Sequence, residues 1–152
     1  MIRPAHTKDL DSLVSLENSA FDSDRLSRED LRRQLRNTRA VLLVHAEQDW
    51  LQGYVLLKLQ PRRRRAHMLS IATHPEHRRR GLGRTLLAAA EQAVRDLGIA
   101  EMQLETREDN LAALNLYRSL GYQPFGRYLG YYEDRSDACR LRKPLTPEAA
   151  LR

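Results

Sequence analysis

Apolar residues between Leu82 and Leu97 recur at Leu82, Leu86, Leu87, Ala90, Ala93, Val94 and Leu97, the wide stripe of an amphipathic helix. Gly98 follows as a C-cap. Leu10, Leu13, Val14 and Leu16 share that spacing and predict a helix from a Thr7 cap to about Phe21. "SRED" (Ser27 to Asp30) resembles a capping box, with Asp in place of Glu, and opens a helix to about Leu35. Another helix is predicted from Asn110 to Leu120, closed by Gly121. Elsewhere the pattern is that of strands. "AVLLVHAE" (40–47) and "QGYVLLKLQ" (52–60) read as a hairpin turning near Gln48 and Asp49. "IRPA", "AHMLSIAT" (66–73), "EMQLET" (101–106), "PFGRYLGYY" (124–132) and "DACRLRKPL" (137–145) read as further strands, with a frayed tail after Pro147.

The order strand–helix–strand–helix from Ala66 to Leu120 predicts two parallel strands joined by a right-handed crossover. The flanking strands arrive by hairpins and are expected to be antiparallel. The implied class is α/β (α+β): a mixed, mostly antiparallel sheet of about seven strands, with a central parallel pair and helices on both faces. A single domain over residues 1–152, with its core at about 2–145, is expected from the length and the lack of repeats or linkers.

Composition adds limits. No run of about 18 apolar residues predicts a membrane span, and the N-terminus has no apolar segment of a secretory signal. With Cys139 as the one cysteine, no intrachain disulfide can form, and a cytoplasmic location is expected. The net charge of +6 favours an anionic partner without identifying it. Much of the excess lies in Arg62–Arg65 and Arg78–Arg80.

The second cluster carries chemistry. Pro75 ends a strand, Arg78, Arg79 and Arg80 follow, and then Gly81-Leu82-Gly83 opens the long helix. Glycines lack Cβ atoms and let a ligand approach the main chain. The first N–H groups of a helix have no intrahelical acceptor, and the helix dipole adds partial positive charge there. With Arg84 also nearby, the turn is suited to a phosphate or diphosphate. A dinucleotide fingerprint would need glycine where Leu86 stands, and no Gly-Lys-Ser/Thr of a P-loop is present.

"RRRGLG" (Arg78–Gly83) resembles the first signature of the GNAT superfamily of acetyl-CoA-dependent N-acetyltransferases, and "REDNLAALNLYRSLGY" (Arg107–Tyr122) resembles the second. Their separation and the element order agree over about residues 2–145, most similarly to the bacterial ribosomal-protein-alanine acetyltransferase group. The resemblance implies acetyl-CoA as co-substrate, its diphosphate on the main chain from Arg79 to Thr85 and its pantetheine along the strand edge Ile71-Ala72-Thr73. Asn110 is implied to contact the cofactor.

Acetyl transfer to an amine needs a base for the ammonium and an acid for the departing thiolate. "LETR" resembles the group's "LEVR" and implies Glu105 as base. Its strand position agrees, near the carboxyl end of a parallel strand, where ligands collect in open α/β sheets. Tyr117 matches the family tyrosine implied as the acid. It shares one helical face with Asn110, Ala113 and Leu114. Direct transfer in a ternary complex is implied.

"GYYEDRSDACRL" (130–141) resembles the Tyr-Tyr turn that holds a peptide in the N-terminal acetyltransferases, implying Tyr131 and Tyr132 as acceptor contacts together with Phe21 of the first loop. Ser136 replaces a glutamate usual in the group, and "FDSDRLSRED" replaces an aromatic-Pro-Trp segment. The expected acceptor is a peptide or protein α-amine. A small amine drawn by Asp22, Asp24, Glu29 and Asp30 is the alternative, and a non-catalytic CoA- or RNA-binding module the more distant one. Nucleic acid is not expected beyond ribosome proximity, because only 6% of residues are aromatic and no stacking motif interrupts the arginines. "RRRR" (62–65) reads as a solvated turn, or as a clamp for an acidic peptide, ribosomal RNA or the CoA 3′-phosphate. No metal is expected at "HPEH" (74–77), whose proline and open turn spoil a helical histidine pair. Cys139 is expected as buried filler, and Tyr54 and Trp50 as packing residues.

Overall fold

A computed structural model describes residues 1–77 and 81–150. Seven strands form one sheet: β1 (Ile2–Pro4), β2 (Ala40–Glu47), β3 (Trp50–Gln60), β4 (Arg65–Thr73), β5 (Glu101–Arg107), β6 (Gln123–Tyr128) and β7 (Ala138–Pro144). Their spatial order is β1-β2-β3-β4-β5-β7-β6, antiparallel except for the parallel pair β4–β5. The expected architecture is present. β7 is inserted between β5 and β6, so the last hairpin folds back against the parallel pair.

The helices are α1 (Leu10–Ala20), α2 (Arg28–Leu35), α3 (Leu82–Asp96), α4 (Leu111–Ser119) and α5 (Pro147–Ala150). Two apolar layers hold them. Leu13 and Leu16 of α1 and Leu31 of α2 pack on Val44, Tyr54 and Leu56 of one sheet face. Leu86, Leu87, Ala90 and Val94 of α3 pack on Val55, Leu57, Met102 and Leu104 of the other. Tyr54 and Val55, adjacent on β3, thus serve opposite layers, as strand alternation requires.

Local chemistry explains the boundaries. Ser27 Oγ accepts from Asp30 N–H and Asp30 Oδ2 accepts from Ser27 N–H, both at 3.0 Å, which is the reciprocal cap read from the sequence. Thr7 does not cap α1. Residues Thr7–Asp9 form a 3₁₀ turn, and the buried Asp9 carboxylate accepts from His6 N–H at 2.7 Å and from Arg3 at 2.8 Å. A carboxylate paired with an arginine of β1 makes stronger, charge-assisted bonds than a threonine hydroxyl. Trp50 does not pack: it is 75% exposed at the start of β3, while Tyr54 is fully buried. Cys139 is half-buried on β7 and reaches the core only in part. Of the tail expected to fray, Pro147–Ala150 form the short α5, whose Ala149 N–H donates to Thr146 Oγ1, and residues 151–152 lie outside the described residues. β6 ends at Tyr128, so Leu129 to Tyr132 lie in a loop, where Gly130 adopts φ +59° and donates its N–H to Asp137 Oδ1.

β4 positions the site. Leu56 of β3 pairs with Ser70 and Leu57 with Met68, so Leu69 is an extra residue, a β-bulge. It reverses the alternation of β4: Ala66 and Met68 face the α3 layer, whereas Ala72 faces the α1 layer. Pairing of β4 with β5 runs only from Arg65↔Glu101 to His67↔Gln103. Beyond it the two strands part, and β4 from the bulge to Thr73 presents an edge with no β5 partner.

Candidate active site

The parting of β4 and β5 opens a cleft of about 1090 Å³. Ser70 and Ile71 of β4 line one wall, Glu105 and Thr106 of β5 another. Phe21 and Asp24 of the α1–α2 loop, Asn110 and Tyr117 of α4, and Tyr131 and Tyr132 of the β6–β7 loop complete it. Residues from five separate stretches of sequence therefore meet at the carboxyl ends of two parallel strands.

Glu105 lies on the face opposite Met102 and Leu104, with its side chain only 7% exposed. Both of its oxygens face His67 Nε2, at 2.7 and 2.8 Å, and the Tyr131 hydroxyl is 3.4 Å from Oε1. The sequence reading did not single out His67. Its mark there is a polar ring between apolar neighbours in "AHML", which alternation puts on the sheet face opposite Ala66 and Met68.

Tyr117 is buried, edge-on to Tyr122 with ring centroids 5.9 Å apart. Burial disfavours the phenolate and pushes the Tyr117 pKa up to about 12. Asn110 is the N-cap of α4, its Oδ1 accepting from Ala113 N–H at 3.1 Å. That bond leaves its amide NH₂ available beside the cleft. Asn110, Ala113 and Tyr117 all line the cleft, as their helical spacing predicts.

The glycine turn leads from β4 into α3. Gly81 has φ +74°, a conformation that side chains resist, and its carbonyl accepts from Thr85 N–H and from Thr85 Oγ1 at 3.1 and 3.0 Å. A Cβ added at Gly81 or Gly83 would meet no protein atom within 4 Å, so the space before the turn is open. That opening, the start of α3 at Leu82 and the unpartnered edge through Ile71, Ala72 and Thr73 suit an extended ligand carrying an anionic group. Arg84 donates to Ser119 Oγ at 3.1 Å and so bridges α3 to α4. Arg78, Arg79 and Arg80, also expected at the turn, lie outside the described residues.

The loops over the cleft are bound by charge. Tyr131 lies edge-on to Tyr132 at 5.0 Å and stacks on Tyr128 at 5.3 Å. Burial raises the pKa of both Tyr131 and Tyr132, with the Glu105 carboxylate adding to the effect on Tyr131. On α1, Glu17 is 1% exposed. It accepts from Tyr54, from Ser70 at 3.0 Å and from Leu26 N–H at 2.7 Å, anchoring the first loop to the sheet.

The Arg62–Arg65 tract is elsewhere. Pro61–Arg63 form a 3₁₀ turn just before β4, and the nine residues of that strand, roughly 30 Å, lead away from it towards the glycine turn. His74, Glu76 and His77 come within 4.8 Å of one another, but His74 Nδ1 already accepts from Glu76 N–H at 3.2 Å. Among the described residues no helix is long and apolar enough to cross a membrane.

Residues 8–122 match the acetyltransferase (GNAT) family. The chain belongs to that family. It is 37% identical over 83 residues to an N-alpha-acetyltransferase of Saccharolobus solfataricus, covering 54% of this chain and 50% of that protein, so it spans about half of that relative's length. A Bacillus subtilis protein, named provisionally as a ribosomal protein bS18-alanine N-acetyltransferase, is 29% identical over 138 residues, 90% of this chain and 89% of that one. Among solved structures, the ribosomal-protein-S18-alanine N-acetyltransferase of Escherichia coli superposes with a TM-score of 0.88 at 26% identity, covering 96% of this chain and 94% of that one.

Proposed function

We propose that this GNAT chain transfers the acetyl group of acetyl-CoA directly to the N-terminal α-amine of a peptide or protein. The observation that carries the reading is the opening between β4 and β5: it holds a buried carboxylate, Glu105, on one wall and a buried phenol, Tyr117, on another. The family supplies the donor class, and the Saccharolobus solfataricus relative is named an N-alpha-acetyltransferase, which supports an α-amine as acceptor.

In this reading the free edge of β4 at Ile71, Ala72 and Thr73 aligns the pantetheine arm by main-chain hydrogen bonds. The open turn at Gly81 and Gly83 and the first-turn N–H groups of Leu82 to Arg84 receive the diphosphate. Glu105 takes a proton from the acceptor ammonium, which titrates near 8 in a peptide and must lose that proton to attack. Tyr117 keeps its proton at neutral pH and gives it to the departing sulfur. Phe21, Tyr131 and Tyr132 form the walls for the first residues of the peptide.

A small cationic acceptor is less favoured. Glu29 pairs with Arg32, Asp30 with Arg33 and Asp24 with Arg107, so most of the acidic side chains that would attract it are already engaged.

The test is thioester consumption with peptides varied at their first residue, beside polyamines and aminoglycosides. α-Amine acetylation is expected, and Glu105→Gln should lower turnover about 10²-fold or more with unchanged acetyl-CoA affinity. Consumption only with the small amines would overturn the acceptor class. A Glu105→Gln rate equal to that of the parent protein would remove Glu105 as base.

A further inference from the structure

We propose that Arg140 makes the cleft selective for acceptor peptides with an aspartate or glutamate in the second to fourth position, its guanidinium gripping that carboxylate while the α-amine lies at Glu105. The inference rests on the acetyl-transfer reading and deepens it, from an N-terminal amine to a class of peptide.

Strand register gives the place. Arg140 of β7 is the partner of Glu105 on β5, so the two side chains leave the sheet on one face, one strand apart. On that face the layer under α1 and α2 takes its sheet residues from β2, β3 and β4. Among the described residues none of β5, β6 or β7 belongs to it. Beyond Glu105 the sheet is therefore open, and it continues the wall of the cleft across β7 to β6.

Packing holds the cation there. The Arg140 guanidinium carbon lies 4.2 Å from the centre of the Tyr128 ring and 4.6 Å from that of Phe125, both on β6. Tyr128 stacks in turn on Tyr131 at 5.3 Å, and the Tyr131 hydroxyl is 3.4 Å from Glu105 Oε1. Carboxylate, two tyrosines and guanidinium form one run from the cleft to β6. Rings that already fix the plane of an arginine reduce the freedom it loses on binding.

That cation lacks a counter-ion. Arg107 pairs with Asp24 and Asp134, Arg127 with Glu108 and Asp137, and Glu105 itself meets His67. Among the described residues Arg140 makes no ion pair, and its buried Nε has no hydrogen-bond partner. Ring faces offer no acceptor to donors that lie in the guanidinium plane. A carboxylate meets two such donors at once, in the planar fork that arginine has and lysine lacks. Arg142, two residues on and over Phe125 at 4.9 Å, adds positive charge to the same face, and Glu101 reaches it only at 3.9 Å.

The dimensions agree. Neighbouring strands lie about 4.8 Å apart, which puts β6 roughly 10 Å from β5. An extended peptide advances about 3.3 Å per residue. With its amine at Glu105 and its chain over β7, it brings residues two to four within reach of the guanidinium. A lysine or arginine there would face two like charges and be rejected.

The experiment measures kcat/KM at low salt, with saturating acetyl-CoA, for three peptides that share their first residue. They carry aspartates, asparagines or lysines at positions two to four. The parent protein should favour the aspartate peptide over the asparagine one by about 10–10²-fold, the difference lying in KM, and the lysine peptide should be poorest. Arg140→Gln should shrink that preference to about threefold or less, and Arg140→Lys should restore it only in part, keeping the charge without the fork. Arg140→Glu should lower the aspartate-to-lysine ratio by about 10²-fold or more while the lysine peptide gains rate in absolute terms, which a misfolded protein cannot show. Equal rates for the aspartate and asparagine peptides in the parent, or an aspartate preference that survives Arg140→Gln and Arg140→Glu, overturns the proposal. Calorimetry of the same peptides on the CoA-loaded protein separates the two readings. Arg140-dependent binding of the aspartate peptide without acetylation of any of the three would count against acetyl transfer and support the carboxylate site. Acetylation of all three at equal rates would leave acetyl transfer standing and overturn the selectivity, and absence of binding by the aspartate peptide overturns it as well.

Discussion

Arg107 Nη2 lies 2.9 Å from Asp24 Oδ2, joining the end of β5 to the loop between α1 and α2. The same guanidinium reaches Asp134 at 2.8 Å and Ser136 Oγ at 2.5 Å in the β6–β7 loop, and covers the Tyr132 ring at 4.4 Å. Asp24 Oδ1 in turn accepts from Glu133 N–H at 2.9 Å. The two loops that form the outer wall of the cleft are thus held against each other and against the strand bearing Glu105. Ser136, at a position usually occupied by glutamate in the similar group, is part of this network: it accepts from Arg107 and donates to Asp134.

Arg107→Ala should release both loops while leaving the glycine turn untouched. The expected result is a peptide KM raised roughly 10-fold, equivalent to about 1.4 kcal/mol, with acetyl-CoA affinity unchanged by calorimetry. Equal KM values in parent and variant would show that the loops hold their places without the guanidinium.

Tyr117→Phe removes the phenolic proton and keeps the packing of the ring on Tyr122. A role as acid predicts kcat lower by about 10²–10⁴-fold at neutral pH, measured by release of free CoA thiol. Activity near that of the parent would leave Tyr117 a packing residue.

Stability should fall at alkaline pH. The buried Tyr117 phenol holds its proton up to about 12, whereas the unfolded chain releases it near 10. Between those values the folded state binds more protons than the unfolded one, so unfolding becomes easier as pH rises, by about 2–3 kcal/mol over the window. Tyr54 and Tyr122, both raised by burial and by the carboxylates they contact, act in the same direction. Chemical denaturation between pH 9 and 12 measures the slope, and a flat profile would contradict the burial argument.

Gly83→Val should abolish acetyl-CoA binding with little loss of fold, because an added Cβ meets no protein atom but occupies the space before the turn. Circular dichroism and calorimetry on one sample test both halves. Normal acetyl-CoA binding would refute close approach to the main chain.

Much of this was legible from periodicity and punctuation. The stripe from Leu82 to Val94 and the Ser27–Asp30 box gave helices where they stand, because each depends on neighbours three or four residues away. The meeting of Asn110 and Tyr117 on one wall followed from helical geometry. What escaped depends on distant partners. Leu69 is a bulge only because Leu56 and Leu57 of β3 pair on either side of it, and nothing in "HMLSI" marks the reversal. His67 meets a carboxylate, Glu105, that lies 38 positions away in the chain. Asp9 displaces Thr7 as the anchor of the first turn because Arg3 lies beside it on β1. Trp50 was misjudged because an aromatic ring at a hairpin end has no layer to enter.

The most direct measurement supplies the protein with acetyl-CoA and two versions of one lysine-containing peptide, one with a free and one with a blocked N-terminus, and locates the acetyl group by fragmentation mass spectrometry. Acetylation of the free α-amine, no product from the blocked peptide and a strong loss with Glu105→Gln are expected. Equal acetylation of both peptides at lysine, or no thioester consumed with either, would contradict the assignment of this cleft to N-terminal acetyl transfer.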